Sequence, residues 1–417
     1  MASRKKAPSR LSYYFKLRID RKSFAVILIS VAGYLVWLMA FPMFGPITAS
    51  FLDGLKALDI EKGRFVQWFL ISMVVSSLVG GYLIDKAKRR VLFIWISALI
   101  ASLLTFAFIW LNRVGEVFLF SLLLGFVSGL SPVAWGAYFA DHTSPEDRGR
   151  VMGMSVGLSM PIAYLFLIAE PFGGTSEAKI MVIGSVLLIT LVTLTLRPQE
   201  KTEEILSSKG RRGPGAKQIV FYASPIFLFY LVAGILLSIV FPTVQDHVRN
   251  EIFYLIWAIP FLMGAIVAGI MFDSRGRKFP TIVGLAITGV SLAVFGIIGI
   301  RLGYVSIISL AIGFSFVTTL SFIIWADLAP ARARGIYYGA GVGLMAAALM
   351  LGLISAGTIF GSVSASRITG YMLFSSVALF LCIPPLIVAE ETLPKELIEK
   401  RQLQEYLDEV KRKFVKK

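Results

Sequence analysis

The sequence is poor in the residues that most enzyme and metal sites use. It contains one cysteine, Cys382, and two histidines, His142 and His247, which lie far apart in the chain. A single cysteine excludes an intrachain disulfide and a cysteine-based zinc cluster. The Gly-x4-Gly-Lys-[Ser/Thr] pattern of ATP-binding loops is also absent. We therefore expect no enzyme, no ATP-driven pump and no bound cofactor or metal.

Long apolar segments dominate the chain instead. Hydrophobic residues make up 57% of it, and its mean hydropathy is +0.78, which is typical of proteins dissolved in lipid. A helix needs roughly 20 apolar residues to cross the hydrocarbon core of a bilayer. The sequence therefore predicts an all-α polytopic membrane protein with twelve transmembrane helices, at about 23–45, 65–84, 91–111, 115–140, 151–170, 179–196, 219–244, 252–272, 280–300, 304–326, 336–361 and 368–389.

A long polar break separates the first six predicted spans from the last six. It carries many charges and the flexible run 213–215, so it is typical of a solvated linker. The predicted domains are a basic N-terminus (1–22), an N-terminal six-helix bundle (23–196), the linker (197–218), a C-terminal six-helix bundle (219–389) and a basic tail (390–417). The N-terminus shows no signal-peptide cleavage pattern, so we expect the first span to be retained.

The net charge of +16 is distributed unevenly about the predicted spans. Both termini and the loops after even-numbered spans carry 33 of the 41 Lys and Arg residues. The positive-inside rule then places both termini in the cytoplasm, with the spans in the cytoplasmic membrane. This topology explains the basic composition without nucleic acid. We expect a monomer whose partners are the lipid bilayer and a small-molecule substrate.

Two loops of the first half each recur in the second half, at nearly the same distance along the chain. The segment GYLIDKAKRR at 81–90 corresponds to GIMFDSRGRK at 269–278, and the AD, P and RG elements of 140–149 return in 326–335. A glycine at a helix end permits close approach of another helix, and an aspartate can face the positive N-terminus of a neighbouring helix. The repeat predicts two homologous six-helix halves.

These loops resemble the signature G-x-L-x-D-[KR]-x-G-[KR]-[KR] of the major facilitator superfamily. Lys88 and Ser274 depart from it, and 390–394 resembles the P-E-T-x-x motif that many members carry after their last span. The resemblance implies two pseudo-symmetric six-helix halves that alternate in access. It also implies a gating role for Gly81, Asp85, Arg89, Asp141 and Arg148 in the first half and Gly269, Asp273, Arg277, Asp327 and Arg334 in the second.

The resemblance further implies a central cavity between the halves. Polar or aromatic residues at a suitable depth are Tyr34, Trp37, Ser131, Tyr164, Ser238, Thr318 and Thr319. Lipid-facing and helix-packing roles are the alternatives for each of them. No Asp, Glu, Lys, Arg or His falls in the middle of a predicted span. The candidates for proton coupling are therefore Glu170 and Asp246 at span ends, where simple exposure to water is the alternative.

Three functions fit the sequence. The first is a gradient-driven, alternating-access carrier of a small organic solute, with protons as a candidate coupling ion. The second is a proton-coupled efflux antiporter for amphipathic compounds, since the predicted cavity is aromatic and poor in charge. The third is a non-transporting receptor or scaffold on the same fold. The sequence leaves the substrate, the direction of transport and the coupling ion open.

Overall fold

The computed structural model describes residues 17–41, 46–54, 59–168, 176–200, 215–245, 250–298, 303–355 and 365–393. Most of the predicted N-terminal segment, linker and tail lie outside these ranges, so their predicted boundaries stay predictions. The proton-coupling candidates Glu170 and Asp246 also lie outside the described residues.

Within the described residues the protein is helical and contains no strand. Lipid offers the backbone no hydrogen-bond partners, and a helix satisfies its amide and carbonyl groups internally. The α-helices are α1 (Arg21–Ala40), α2 (Pro46–Gly54), α3 (Asp59–Ala87), α4 (Arg90–Ala107), α5 (Val114–His142), α6 (Arg148–Ile168), α7 (Ser176–Val192), α8 (Ala216–Gln245), α9 (Asn250–Arg275), α10 (Lys278–Ile298), α11 (Gly303–Leu328), α12 (Arg334–Ser355), α13 (Ala365–Leu381) and α14 (Ile383–Val388).

The helices account for the predicted spans. Eleven stretches of the described chain are long and apolar enough to cross a membrane. The predicted fifth span corresponds to α6, a further helix of 21 residues, and the twelfth is formed by α13 together with α14. The all-α membrane fold is confirmed, and the count of twelve is supported approximately.

The outer surface of the bundle is apolar where lipid would surround it. Trp110 is 69% exposed and Ile297 is 74% exposed, and exposed apolar patches of this kind indicate contact with a nonaqueous partner. Inside the bundle, glycines bring helices together. A β-carbon on Gly125 of α5 would lie 2.1 Å from the carbonyl oxygen of Phe69 in α3, so the small residue permits backbone contact.

The two halves meet through equivalent pairs of helices. In one interface α3 of the N-terminal half packs against α12 of the C-terminal half, and in the other α6 packs against α9. These are the second and eleventh spans, and the fifth and eighth. The loops that carry the repeated motifs therefore lie at the ends of the helices that join the halves.

Candidate functional site

The carboxylate of Asp85 binds the start of a helix in the opposite half. Its Oδ1 accepts a hydrogen bond from the amide of Gly335 at 2.8 Å, and its Oδ2 accepts one from the amide of Ile336, also at 2.8 Å. Amides in the first turn of a helix have no partner within the helix, and the helix dipole favours a negative charge there. Asp85 therefore caps α12 across the interface.

Asp273 makes the equivalent contact in the other direction. Its Oδ1 accepts from the amide of Gly149 at 2.7 Å and its Oδ2 from the amide of Arg150 at 2.9 Å, at the start of α6. The Nε of Arg150 also donates to Asp273 Oδ2 at 3.0 Å. Each half thus supplies an aspartate that caps a helix of the other half.

Glycines make these two caps geometrically possible. A β-carbon on Gly335 would lie 2.6 Å from the carbonyl oxygen of Gly81. The two backbones are consequently in contact where Asp85 reaches its amides. Gly269 occupies the equivalent place opposite α6, where a β-carbon on it would meet the carbonyl oxygen of Gly149 at 2.4 Å. The predicted role of Gly81 and Gly269 in close helix approach agrees with this geometry.

Two further aspartates join the halves through arginines. Arg148 donates from Nη1 to Asp327 Oδ1 at 2.6 Å, and Arg334 donates to Asp141 Oδ1 in the symmetry-related pair. The side chains of Asp141 and Asp327 are 2% and 1% exposed. Breaking a buried ion pair by removing one partner costs about 3–5 kcal/mol, because the other charge is left buried and uncompensated.

Arg277 lies at the centre of the network in the C-terminal half. Its side chain is fully buried and donates to Asp327 Oδ2, to the carbonyl oxygen of Phe272 and to that of Pro145, each at 2.6 Å. Pro145 belongs to the opposite half. Burial alone lowers the pKa of the guanidinium, but the attraction of Asp327 and Asp273 outweighs burial and raises the pKa above its ordinary value. Arg277 is therefore a permanent cation.

In the N-terminal half the corresponding arginine is Arg90, whereas the sequence predicted Arg89. Arg89 is exposed, while the 2%-exposed side chain of Arg90 pairs with Asp141 and Asp85. Both loops turn through a left-handed residue three positions after the aspartate: Lys88 at φ 57° and Gly276 at φ 87°. In the second loop the inward-pointing arginine, Arg277, directly follows Gly276. In the first loop it is Arg90, two positions after Lys88.

Sequence reasoning missed three more members of the network in addition to Arg90. They are Arg150 and two glutamates that each follow the last span of a half. Glu391 accepts from the amide of Arg277 at 2.8 Å and from that of Lys278 at 3.2 Å, and Glu200 accepts from the amide of Val91 at 2.7 Å. Each glutamate therefore caps the helix that follows a motif loop. The signal available was the position of Glu391 within the P-E-T-like segment.

Aromatic residues form a layer beneath the charged network. Trp135 of α5 contacts Phe322 of α11 across the interface, with ring centroids 5.2 Å apart. The ring of Tyr338 lies against Gly136, where a β-carbon would approach it to 2.3 Å. The hydroxyl of Tyr338 donates to the carbonyl oxygen of Phe322 at 2.7 Å. Charged residues and aromatic rings thus pack between the halves at this end of the bundle.

A cavity of about 150 Å³ lies between the halves, on the other side of the aromatic layer. Its wall is formed by both halves and carries no charged side chain. Its polar members are Tyr34, Tyr164, Tyr230 and Thr318; its largest apolar members are Phe229, Trp257, Phe261, Phe314, Phe322, Met39, Met73, Met160 and Met345. The hydroxyl of Tyr34 already donates to the carbonyl oxygen of Ser128 at 2.7 Å. The cavity is therefore chiefly aromatic and sulfur-lined.

Of the seven predicted cavity residues, Tyr34, Tyr164 and Thr318 line this cavity. The other four lie elsewhere in the described bundle. Trp37 is fully buried and donates from Nε1 to Thr105 Oγ1 at 2.8 Å, so it packs α1 against α4. Ser238 donates to the carbonyl oxygen of Gly234 within α8. Ser131 and Thr319 are buried among helices outside the cavity wall.

The comparison with protein families decides the classification. The family model described as Major Facilitator Superfamily matches residues 26–346, which is most of the chain. The protein belongs to the major facilitator superfamily. It is therefore a secondary transporter and not an enzyme, and its repeated loops with Asp85 and Asp273 resemble this superfamily's signature. The comparison with curated proteins found no match.

Solved structures of other superfamily transporters share the fold. The proton:xylose symporter XylE, bound to 6-bromo-6-deoxy-D-glucose, aligns with a TM-score of 0.65 at 14% identity, over 90% of this chain and 97% of that one. The human organic anion transporter MFSD10 (TETRAN) aligns with a TM-score of 0.65 at 13% identity, over 88% and 99% of the two chains. At identities this low, the two comparisons show a shared fold, and the substrate has to be argued from the cavity.

Proposed function

We propose that this protein carries lipophilic or amphipathic organic molecules by alternating access, driven by an ion gradient, with the charged network as its cytoplasmic gate. The observation that carries the proposal is the composition of the central cavity. Its wall is aromatic, aliphatic and thioether-lined, with four polar side chains and no charge. Such a wall binds a ligand by burying apolar surface.

The same wall argues against a strongly hydrophilic substrate. A sugar brings many hydroxyl groups, and each one buried without a hydrogen bond costs about 1–3 kcal/mol. Tyr34 is already bonded to Ser128, which leaves few side chains to compensate. Met side chains such as Met73 and Met160 adapt to ligands of different shape, so we expect a tolerant site.

Alternating access requires that contacts between the halves exist in one state and break in another. The caps of Asp85 and Asp273 and the ion pairs Arg148–Asp327 and Arg334–Asp141 all cross the interface at one end. The charge distribution favours a cytoplasmic position for that end. In this assignment the described conformation is closed to the cytoplasm. A monomer in the cytoplasmic membrane is sufficient, because both halves lie on one chain.

The direct experiment measures binding and transport of a lipophilic cationic or neutral dye. Purified protein is titrated with the dye, and a ligand that binds only the folded state raises its thermal midpoint. Cells expressing the protein are then followed for dye accumulation at two external pH values. We expect saturable binding and an expression-dependent change in accumulation, with a pH effect if protons are the coupling ion.

A panel of sugars, amino acids and organic acids serves as the comparison set. Stabilisation by a hydrophilic compound, with none by dyes, would overturn the proposed substrate class. Dye binding without any change in accumulation would favour the receptor over the carrier. An increase in accumulation on expression indicates import, and a decrease indicates the efflux alternative.

A further inference from the structure

A second cavity lies in the N-terminal half, at the same end as the charged network. Its volume is about 420 Å³, and it is separate from the central cavity. Three parts of the chain bound it: the start of α1 with the residues before it, the end of α5 and the residues after α7. The lining residues are Arg18, Ile19, Asp20, Lys22, Ser23, His142, Arg197 and Gln199.

The charges on this wall are predominantly positive. Arg18, Lys22 and Arg197 face the cavity together with a single carboxylate, Asp20. That carboxylate is occupied as the N-cap of α1, because its Oδ2 accepts from the amides of Lys22 and Ser23 at 3.1 and 3.2 Å. Arg18 shares its charge with Glu146 at 2.8 Å, and its side chain is still 69% exposed. The wall thus holds more positive charge than its own carboxylate neutralises.

His142 adds to this excess when its ring is protonated. Its Nδ1 lies 3.0 Å from the carbonyl oxygen of Tyr138, and its Nε2 lies 3.0 Å from the carbonyl oxygen of Gln199. A carbonyl oxygen only accepts hydrogen bonds, so both contacts are hydrogen bonds only when both ring nitrogens carry protons. The ring is then a cation, and its position at the end of α5 favours that form through the helix dipole.

We propose that this cavity is a binding site for a phosphate group. Guanidinium and ammonium groups converging from separate segments bind phosphate through charge-assisted hydrogen bonds. The site lies where α1 begins and α5 ends, at the boundary between apolar spans and the charged end. A phospholipid headgroup and a soluble phosphate ester present the same chemistry there.

Occupancy of this site acts on the gate through a short chain of contacts. The amide of Arg18 donates to Asp147 Oδ2 at 3.0 Å, and Asp147 is paired with Arg150. Arg150 in turn contacts Asp273 of the opposite half at 3.0 Å. A phosphate that holds Arg18 and Lys22 beside Arg197 therefore stabilises the closed gate. This is a regulatory site, distinct from the proposed substrate cavity.

Inorganic sulfate is the first probe, because it is a tetrahedral dianion whose charge does not change near neutral pH. The full-length protein is studied in phosphatidylcholine nanodiscs at constant ionic strength and about pH 6, where an ordinary imidazole is mostly protonated. The variant is Lys22→Gln/Arg197→Gln. The matched control, Lys86→Gln/Arg275→Gln, removes two basic side chains at the same end but outside the cavity. The second probe is phosphatidylglycerol in the nanodisc.

We expect sulfate to raise the thermal midpoint of the wild type and of the control, and the cavity variant to need roughly tenfold more sulfate for the same rise. The charge-conserving pair Lys22→Arg/Arg197→Lys should keep the response. Stabilisation by phosphatidylglycerol alone, lost in the cavity variant, supports the site with a lipid as its ligand. An equal response of all proteins is a general salt effect; that result, or no response to either probe, overturns the proposal.

Discussion

Gly149 and Gly269 lie so close together that a β-carbon on Gly149 would sit 2.3 Å from the carbonyl oxygen of Gly269. This contact joins the two halves backbone to backbone. It also brings Asp273, one turn further along α9, within 2.7 Å of the amide of Gly149. The contact proposed to close the gate therefore depends on the absence of a side chain at two positions as much as on the presence of a charge.

Gly149→Ala is expected to open the charged end of the bundle. The added methyl group overlaps a backbone oxygen that cannot rotate away, and overpacking of this kind costs about 1–3 kcal/mol. The population of the closed state should then fall about 5- to 150-fold relative to the open one. Spin labels at Lys86→Cys and Arg332→Cys, on exposed sites of opposite halves, should report a longer distance.

The labels require a background without the native thiol. Cys382 is buried at 1% exposure, and Cys382→Ala removes it with little change in volume. Gly370→Ala is the control, since a β-carbon at Gly370 meets nothing within 4 Å. An unchanged label distance in Gly149→Ala would contradict the assignment of this contact to the gate.

Asp85→Asn should also weaken the proposed gate, at the interface between α3 and α12. The asparagine side chain has one oxygen to accept hydrogen bonds from the backbone N–H groups of Gly335 and Ile336, whereas the carboxylate has two. The neutral side chain also loses the attraction of Arg90. The loss of hydrogen bonds to a charged group amounts to about 1.5–3 kcal/mol. We expect faster opening and altered transport, measured by dye flux, with an unchanged amount of folded protein in the membrane.

Glu116→Gln provides the control for Asp85→Asn. Glu116 is an exposed acid in the first turn of α5, at the opposite end of the bundle. The Glu116→Gln variant should keep both the dye flux and the distance between the spin labels at their wild-type values. Equal flux in wild type and Asp85→Asn would argue that the cap of α12 does not control the transport cycle.

Arg277→Lys tests whether the network needs a guanidinium or only a positive charge. Arg277 reaches Asp327, Phe272 and Pro145 simultaneously at 2.6 Å, whereas an ammonium group is a compact point charge that cannot span them. We expect the midpoint for unfolding to fall by an amount equivalent to about 2 kcal/mol. Arg275→Lys, at an arginine that lies 5.5 Å over the ring of Phe279, is the control. A comparable fall in both variants would refute a special role for Arg277.

The pH dependence of the contribution that Arg277 itself makes follows from the direction of its pKa shift. The folded state raises the pKa of Arg277 above its ordinary value. Its stabilising contribution is therefore fully present below the unfolded-state pKa and is lost only as pH rises through the higher folded-state pKa. Because both values lie far above neutrality, the contribution of Arg277 is constant across the physiological range.

The sequence predicted the charged contacts between the halves better than the cavity wall, for a physical reason. An aspartate one helical turn after a glycine, at a helix end, has few uses in an apolar bundle, so Asp85 and Asp273 were recognised from their repeat. The choice between Arg89 and Arg90 depends on how the chain turns at Lys88, whose positive φ is not implied by a lysine. Arg150 was missed because one more basic residue in a loop also fits ordinary anchoring.

The cavity wall was less predictable because a uniformly apolar segment does not indicate which face of its helix points into the bundle. A transmembrane helix is hydrophobic on every face, so periodicity does not separate lining residues from buried or lipid-facing ones. Tyr34 and Trp37 are one turn apart on α1, yet the first lines the cavity and the second packs on Thr105. Polar residues and the polar aromatics Tyr and Trp were sought, whereas the wall is mostly Leu, Phe and Met.

Ala346→Phe should block the central cavity without disturbing the fold. Ala346 belongs to α12 and lines the cavity, so a benzyl group placed there fills a large part of about 150 Å³. We expect dye binding and dye flux to be lost while the thermal midpoint without ligand stays within a few degrees. Val377→Phe, on a 58%-exposed position facing outward from α13, adds an aromatic ring at the surface as control. Retained dye binding in Ala346→Phe would place the substrate outside this cavity, and an equal loss in Val377→Phe would point to a general effect of added bulk.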